Sequence, residues 1–195
     1  MTTNVAIIGL GIMGSRMLNH MRLHKEFNPV YLWDPNQIAC EKALIQNEKS
    51  QIMKSANEAI EKSDLVYIAC PPNVREEYAI KTVELGKPLF IEKPFGINVQ
   101  NSKNFVEKLQ KYNVPIAVNF TQASGEVLKD LIARKDNGEL GEILGIDIII
   151  RYSSWPRQWQ KAADWLRYKK EGGMTREVIS HFLFFSERVL GALKV

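Results

Sequence analysis

Three groups of residues in this chain have types and spacings that could do chemistry. The first is Gly9-Leu10-Gly11-Ile12-Met13-Gly14, set between an apolar run and a helical pattern, with Asp34 closing the next apolar run. Gly9 allows a tight turn, Gly11 lets the backbone come close to a phosphate, and Gly14 lets helix and strand approach each other. The N–H groups that open the helix, at Ile12 and Met13, have no partner inside it and carry partial positive charge. Asp34 can accept both hydroxyls of a ribose. Turn, helix and carboxylate together read as a dinucleotide site, against the competing reading of a glycine-rich turn that binds nothing. Asp34 also repels a 2′-phosphate, and Pro35, Asn36 and Gln37 supply no cation, so NAD is favoured over NADP.

The second group is Glu92-Lys93-Pro94, which ends another apolar run. In an open α/β sheet the C-terminal strand edge faces the ligand crevice. Pro94 holds Lys93 extended and so fixes where the ammonium points. Such a lysine can polarise a substrate oxygen and favour loss of its proton; the plainer reading is a solvated lysine at a strand end. The third group is Glu177 and His181, four apart on a helical pattern and therefore on one face. A carboxylate beside an imidazole fixes its tautomer and raises its pKa, which suits a general acid/base. An ordinary helix pair, or a histidine packed on Phe182 and Phe184, is the alternative.

The elements that must carry these groups alternate as β–α units. Strands are predicted at Val5–Ile8, Val30–Trp33, Gln51–Met53, Leu65–Cys70, Leu89–Glu92 and Ile116–Phe120. Helices are predicted at Met13–His24 and Gln37–Gln46, after Ser55 or Asn57, from a cap at Asn73 to Leu85, and at Val99–Tyr112. This order predicts a Rossmann-type, doubly wound parallel sheet over residues 1–121. The rhythm then changes. Residues 122–195 show a helix at Gly125–Ala133, a half-exposed strand at Ile143–Tyr152, and an amphipathic helix after Gly172-Gly173. They read as the beginning of an α+β second domain, truncated, because one strand and a few helices make too small a core.

Composition narrows the function classes. Of 195 residues 45% are hydrophobic and 25% charged, which excludes a disordered or fibrous chain. A net charge of +4 is too small to imply nucleic acid alone. Two cysteines, Cys40 and Cys70, make a disulfide framework improbable, and no apolar run is long enough to span a membrane. A cytoplasmic globular protein is expected. His20 and His24 share a helix face without a third ligand, so no metal site is expected. The stretch Arg151 to Lys170 interleaves Arg157, Lys161, Arg167 and Lys169 with Tyr152, Trp155, Trp159, Trp165 and Tyr168. It fits a solvated helix with a core stripe, or contact with an anionic or carbohydrate substrate. Nucleic acid is disfavoured, since no nucleic-acid motif accompanies it.

Gly9–Gly14, Asp34, Cys70-Pro71-Pro72-Asn73, Gly86-Lys87-Pro88 and above all Glu92-Lys93-Pro94 resemble the glucose–fructose oxidoreductase/inositol dehydrogenase (Gfo/Idh/MocA) family. Gly138 to Ile143, and Gly172-Gly173 with His181, are similar too. The resemblance implies a Rossmann domain followed by an open antiparallel sheet that carries substrate and an oligomer interface. It implies a cofactor held by Gly9, Gly11, Ile12, Met13, Gly14, Asp34, Pro71, Pro72, Asn73, Glu92 and Lys93. It also implies that His181 exchanges the proton of a substrate hydroxyl, with Lys93 on the same oxygen and Glu177 orienting the imidazole. The expected substrate is a sugar, polyol or related small molecule, and the expected assembly is a homo-oligomer formed through the second domain.

Several positions depart from the family pattern. Glu177 stands where Asp is usual, Met174 where a third glycine is common, and Glu76 where a histidine often follows the Pro-Asn. Asn119-Phe120-Thr121-Gln122-Ala123 stands where arginines are frequent. These departures imply a divergent branch with its own substrate preference. From another class, the alternative is a non-catalytic dinucleotide-binding module, either a truncated product or a sensor that acts with a partner.

Overall fold

The computed structural model describes residues 2–160, 163–170 and 172–194, apart from the side chains of Asp164 and Trp165. It divides into two compact units, Met1–Asn119 and Phe120–Val195.

The first unit is a six-stranded sheet in the order β3-β2-β1-β4-β5-β6. Its strands are β1 (Thr3–Ile8), β2 (Phe27–Trp33), β3 (Gln51–Ile52), β4 (Leu65–Ile68), β5 (Leu89–Glu92) and β6 (Ile116–Asn119), and every neighbouring pair is parallel. The helices between them are α1 (Ile12–Met21), α2 (Gln37–Gln46), α3 (Ala56–Lys62), α4 (Arg75–Glu84) and α5 (Val99–Leu109). Parallel strands need crossovers, and these helices cover both faces. Val5 and Ile7 point into one apolar layer with Leu18, Leu32 and Tyr67, whereas Ala6 and Ile8 point into the other with Ile60, Val66, Val83 and Ile91. Strand order reverses between β1 and β4, which places the loops after those two strands beside the ligand crevice of such a sheet.

Some local expectations are corrected. β2 begins at Phe27, ahead of Pro29, and not at Val30. Proline cannot donate to a ladder, and the register steps past it: Val5 faces Pro29 while Ala6 faces Tyr31. The Pro29 carbonyl is taken by Ser50 Oγ at 2.6 Å. α1 ends at Met21, short of His24, because Leu23 and His24 close turns onto His20 and Met21. Ser55 caps α3 by accepting the Glu58 N–H. Asn73 caps nothing, since a turn from Pro71 to Val74 delays α4 to Arg75.

The second unit holds a 3₁₀ turn (Thr121–Ala123), α6 (Glu126–Asp136), two further 3₁₀ turns at Gln158–Gln160 and Asp164–Arg167, a π-helical turn (Thr175–Ile179) and α7 (Ser180–Leu190). Lys135 Nζ reaches the Val189 carbonyl at 2.8 Å and joins α6 to α7. The strand predicted at Ile143–Tyr152 does not form. A strand needs a ladder partner, and among the described residues this segment pairs with none; Leu144 and Ile149 are exposed.

Candidate functional site

The glycine turn follows β1 directly, and its three glycines answer to different demands. Gly9 has φ +95°, a left-handed conformation that disfavours side chains, and a Cβ there would lie 2.6 Å from the Cys70 nitrogen. A Cβ on Gly14 would lie 1.8 Å from the Gly9 carbonyl oxygen. Both positions are closed by the protein's own backbone. Around Gly11, by contrast, a Cβ would meet no atom within 4 Å. Gly11 is also the N-cap of α1, with no side-chain cap. The backbone at Gly11, where the helix opens, therefore faces clear space, as an incoming phosphate requires.

Asp34 stands at the edge of this space. Its Oδ2 accepts the Leu10 N–H at 2.6 Å and its Oδ1 accepts the Asn36 N–H at 2.8 Å. Asn36 in turn caps α2 by accepting from Ile38 and Ala39. The carboxylate thus fixes the glycine turn and the loop after β2 together. An ionised carboxylate has about four acceptor sites, so both oxygens retain a lone pair for ribose hydroxyls. Pro71, Pro72 and Asn73 occupy the loop after β4, with Pro71 and Asn73 exposed. These residues fit a dinucleotide.

Lys93 follows β5 at the same sheet edge and is half-buried; its bond to Pro94 is cis. Glu92 faces inward and is 2% exposed. A buried carboxylate requires donors, and three are present. The Tyr67 hydroxyl and Asn119 Nδ2 (2.6 Å) donate to Oε1, and the Lys93 N–H donates to Oε2 at 3.1 Å. Burial, reinforced by the Glu92 charge, pushes the Tyr67 phenol far up, so it stays a donor. The Glu92 side chain is therefore engaged inside the sheet. Arg75, also 2% exposed, donates to the carbonyls of Cys70, Glu92 and Pro94. Sequence reading missed Tyr67, Arg75 and Asn119. A polar-tipped tyrosine in a buried strand, beside a glutamate ending the next one, was the available signal. Glu76 lies away from this network and pairs with Lys108 at 2.8 Å.

Glu177 and His181 belong to the second unit. Gly173, at φ +88°, turns the chain into the π-helical segment that carries Glu177, and α7 carries His181 in its first turn. Both are buried. The His181 ring stands edge-on to Phe120 (centroids 5.6 Å apart), which stacks on Phe184 at 4.6 Å. A π-turn widens the helix and is frequent at functional sites. In the basic–aromatic stretch the Arg157 guanidinium lies over Tyr152 (5.0 Å) and Trp159 (4.6 Å). Lys161 lies outside the described residues, as does the Trp165 side chain. No described helix is long and apolar enough to cross a membrane.

A parallel doubly wound sheet, a glycine turn open only above Gly11, and a carboxylate after β2 define a dinucleotide-binding Rossmann domain. The chain belongs to the Gfo/Idh/MocA oxidoreductase family with an NAD-binding Rossmann fold, matched over residues 3–120. It is 24% identical over 173 residues to an uncharacterized oxidoreductase of Streptococcus pneumoniae, covering 86% of this chain and 44% of that one. It is 28% identical over 130 residues to the scyllo-inositol 2-dehydrogenase (NAD(+)) of Bacillus subtilis, covering 66% and 36%. The crystal structure of myo-inositol 2-dehydrogenase from Lactobacillus plantarum superposes with a TM-score of 0.81 at 20% identity, over 98% of this chain and 57% of that one. The chain spans about half the length of these relatives, or less.

Proposed function

We propose that this chain carries the cofactor site and the reacting side chains of an NAD-dependent dehydrogenase acting on a carbinol carbon of a sugar, polyol or related small molecule. The observation that carries the cofactor reading is the clear space above Gly11, at the N-terminus of α1 and beside the Asp34 carboxylate. When bound, the nicotinamide supplies the hydride acceptor and donor. Gly11, Ile12 and Met13 bind the pyrophosphate, and Asp34 binds the adenosine ribose. Lys93 stabilises charge developing on the substrate oxygen, His181 takes or returns the hydroxyl proton, and Glu177 orients the imidazole. Inositol as a substrate of named relatives supports the polyol class. Asp34, with no cation at Pro35, Asn36 or Gln37, supports NAD over NADP.

The test pairs fluorescence titration of NADH and NADPH with a dehydrogenase screen over inositols, sugars, other polyols and hydroxy acids. Tighter NADH binding together with NAD-dependent oxidation of at least one of these alcohols is expected. Failure to bind either cofactor would remove the reading altogether. NADH binding without turnover would favour a dinucleotide-binding module instead.

A further inference from the structure

Lys93 can serve a substrate oxygen only if its backbone is held still, and the holding group is unusual. Arg75, the first residue of α4, is buried beneath the loops that follow β4 and β5. Its Nη2 donates to the Cys70 carbonyl at 2.6 Å, and its Nη1 donates to both the Glu92 and the Pro94 carbonyls. The two Nη1 acceptors lie on either side of Lys93. The peptide unit that enters Lys93 is held at both ends, its C=O by Arg75 and its N–H by Glu92 Oε2. Glu92 is itself fixed by Tyr67 and Asn119.

We propose that Arg75 is the positioning residue of Lys93. It ties the carbonyls that flank the lysine to Cys70 in the loop after β4, on the cofactor side. The planar guanidinium presents its donors in a rigid fork, so one side chain holds three carbonyls from two separate nitrogens in fixed geometry; an ammonium is a compact point charge on a flexible stem. The consequence is for rate, because a misplacement of about 1 Å can cost roughly a hundredfold. This inference rests on the reading of Lys93 as the group that meets the substrate oxygen.

The test uses Arg75→Lys, with Lys93→Met in parallel. In Arg75→Lys, exchange of the Glu92, Lys93 and Phe95 amides (the N–H groups of 92–95) should accelerate tenfold or more while β1 stays protected. NADH affinity and substrate KM should hold within about threefold, and kcat should fall at least tenfold. A purely structural arginine would instead move stability, affinity and KM together, or loosen 92–95 without changing kcat; either result overturns the proposal, as does unchanged exchange at 92–95. Lys93→Met with full turnover would sink the reading of Lys93 itself, a separate failure. If Arg75→Lys does not fold, side-chain NMR of the unmodified chain decides: separately resolved, slowly exchanging Arg75 Nη signals support the clamp, and rotationally averaged ones overturn it.

Discussion

The Asp34 carboxylate accepts the backbone N–H of Leu10 at 2.6 Å, which makes it a brace for the glycine turn before any ribose arrives. Its substitution therefore has two effects. Asp34→Asn keeps an acceptor for one N–H and removes the charge. It should weaken NADH about tenfold and NADPH distinctly less, since the repulsion of a 2′-phosphate goes with the charge. Equal losses for both cofactors, measured by fluorescence titration, would show that only the brace matters.

Gly14 and Gly11 should separate under mutation. Gly14→Ala forces a Cβ to within 1.8 Å of the Gly9 carbonyl oxygen, and a loss of more than about 3 kcal/mol is expected in urea unfolding. Gly11→Ala meets open space and should change stability by less than about 1 kcal/mol, yet weaken NADH at least tenfold. A Gly11→Ala chain that binds NADH normally would place the pyrophosphate elsewhere.

Catalysis divides along the same lines. Lys93→Met and His181→Ala should each lower kcat about 10²-fold or more with NADH affinity nearly unchanged. Glu177→Asp shortens the side chain by one methylene and should keep most of the rate if the carboxylate only orients His181. Near-normal turnover in His181→Ala would end the acid/base assignment.

The dependence of stability on pH has a definite sign. Burial pushes the Cys70 thiol from 9.0 up to about 11. Above pH 9 the unfolded chain therefore holds fewer protons than the folded one, and stability falls as pH rises. Below pH 9 the contribution is fully present and constant. Tyr67, raised by burial, acts in the same direction above its usual 10.0. Urea midpoints should be flat from about pH 7 to 9 and then decline, with Cys70 contributing on the order of 2 kcal/mol by pH 11. Cys70→Ala should flatten part of that slope; a slope identical to wild type would mean the thiol is not shielded when folded.

The strands and helices that read clearly in the sequence are those whose pattern is local. α2 runs over Gln37–Gln46 and β5 over Leu89–Glu92, as the apolar spacing predicts. The glycine turn was equally legible, because a tight turn and a close helix each name their residue. The start of β2 is not legible, because Pro29 enters the strand through a register shift, a tertiary accommodation with no local mark. Ile143–Tyr152 alternates like a strand, but alternation cannot supply a ladder partner. The role of Arg75 leaves no mark in the sequence, because an arginine in the first turn of a polar helix looks solvated and two of its acceptors, the carbonyls of Glu92 and Pro94, are distant in sequence.

Residues 142–156 give a direct check on the second unit. Among the described residues none of their N–H groups is seen donating to the backbone. When the chain is monomeric, these amides should exchange within seconds while those of β1, β4 and β5 remain protected. If light scattering shows the expected homo-oligomer, the same amides should be slowed. A monomer with uniform protection throughout would contradict both expectations.

Glu92 is served by Tyr67 from β4 and Asn119 from β6, while Arg75 from α4 holds the peptide that follows it. Such a cluster resists change one residue at a time. Replacing Glu92 alone strands three donors, and replacing Arg75 alone strands three acceptors, so each single step passes through a weakened chain. A pairwise substitution library should accordingly show strong epistasis between Glu92 and Tyr67 and almost none between either and Asp34. Compensating changes would arrive together at the ends of β4, β5 and β6.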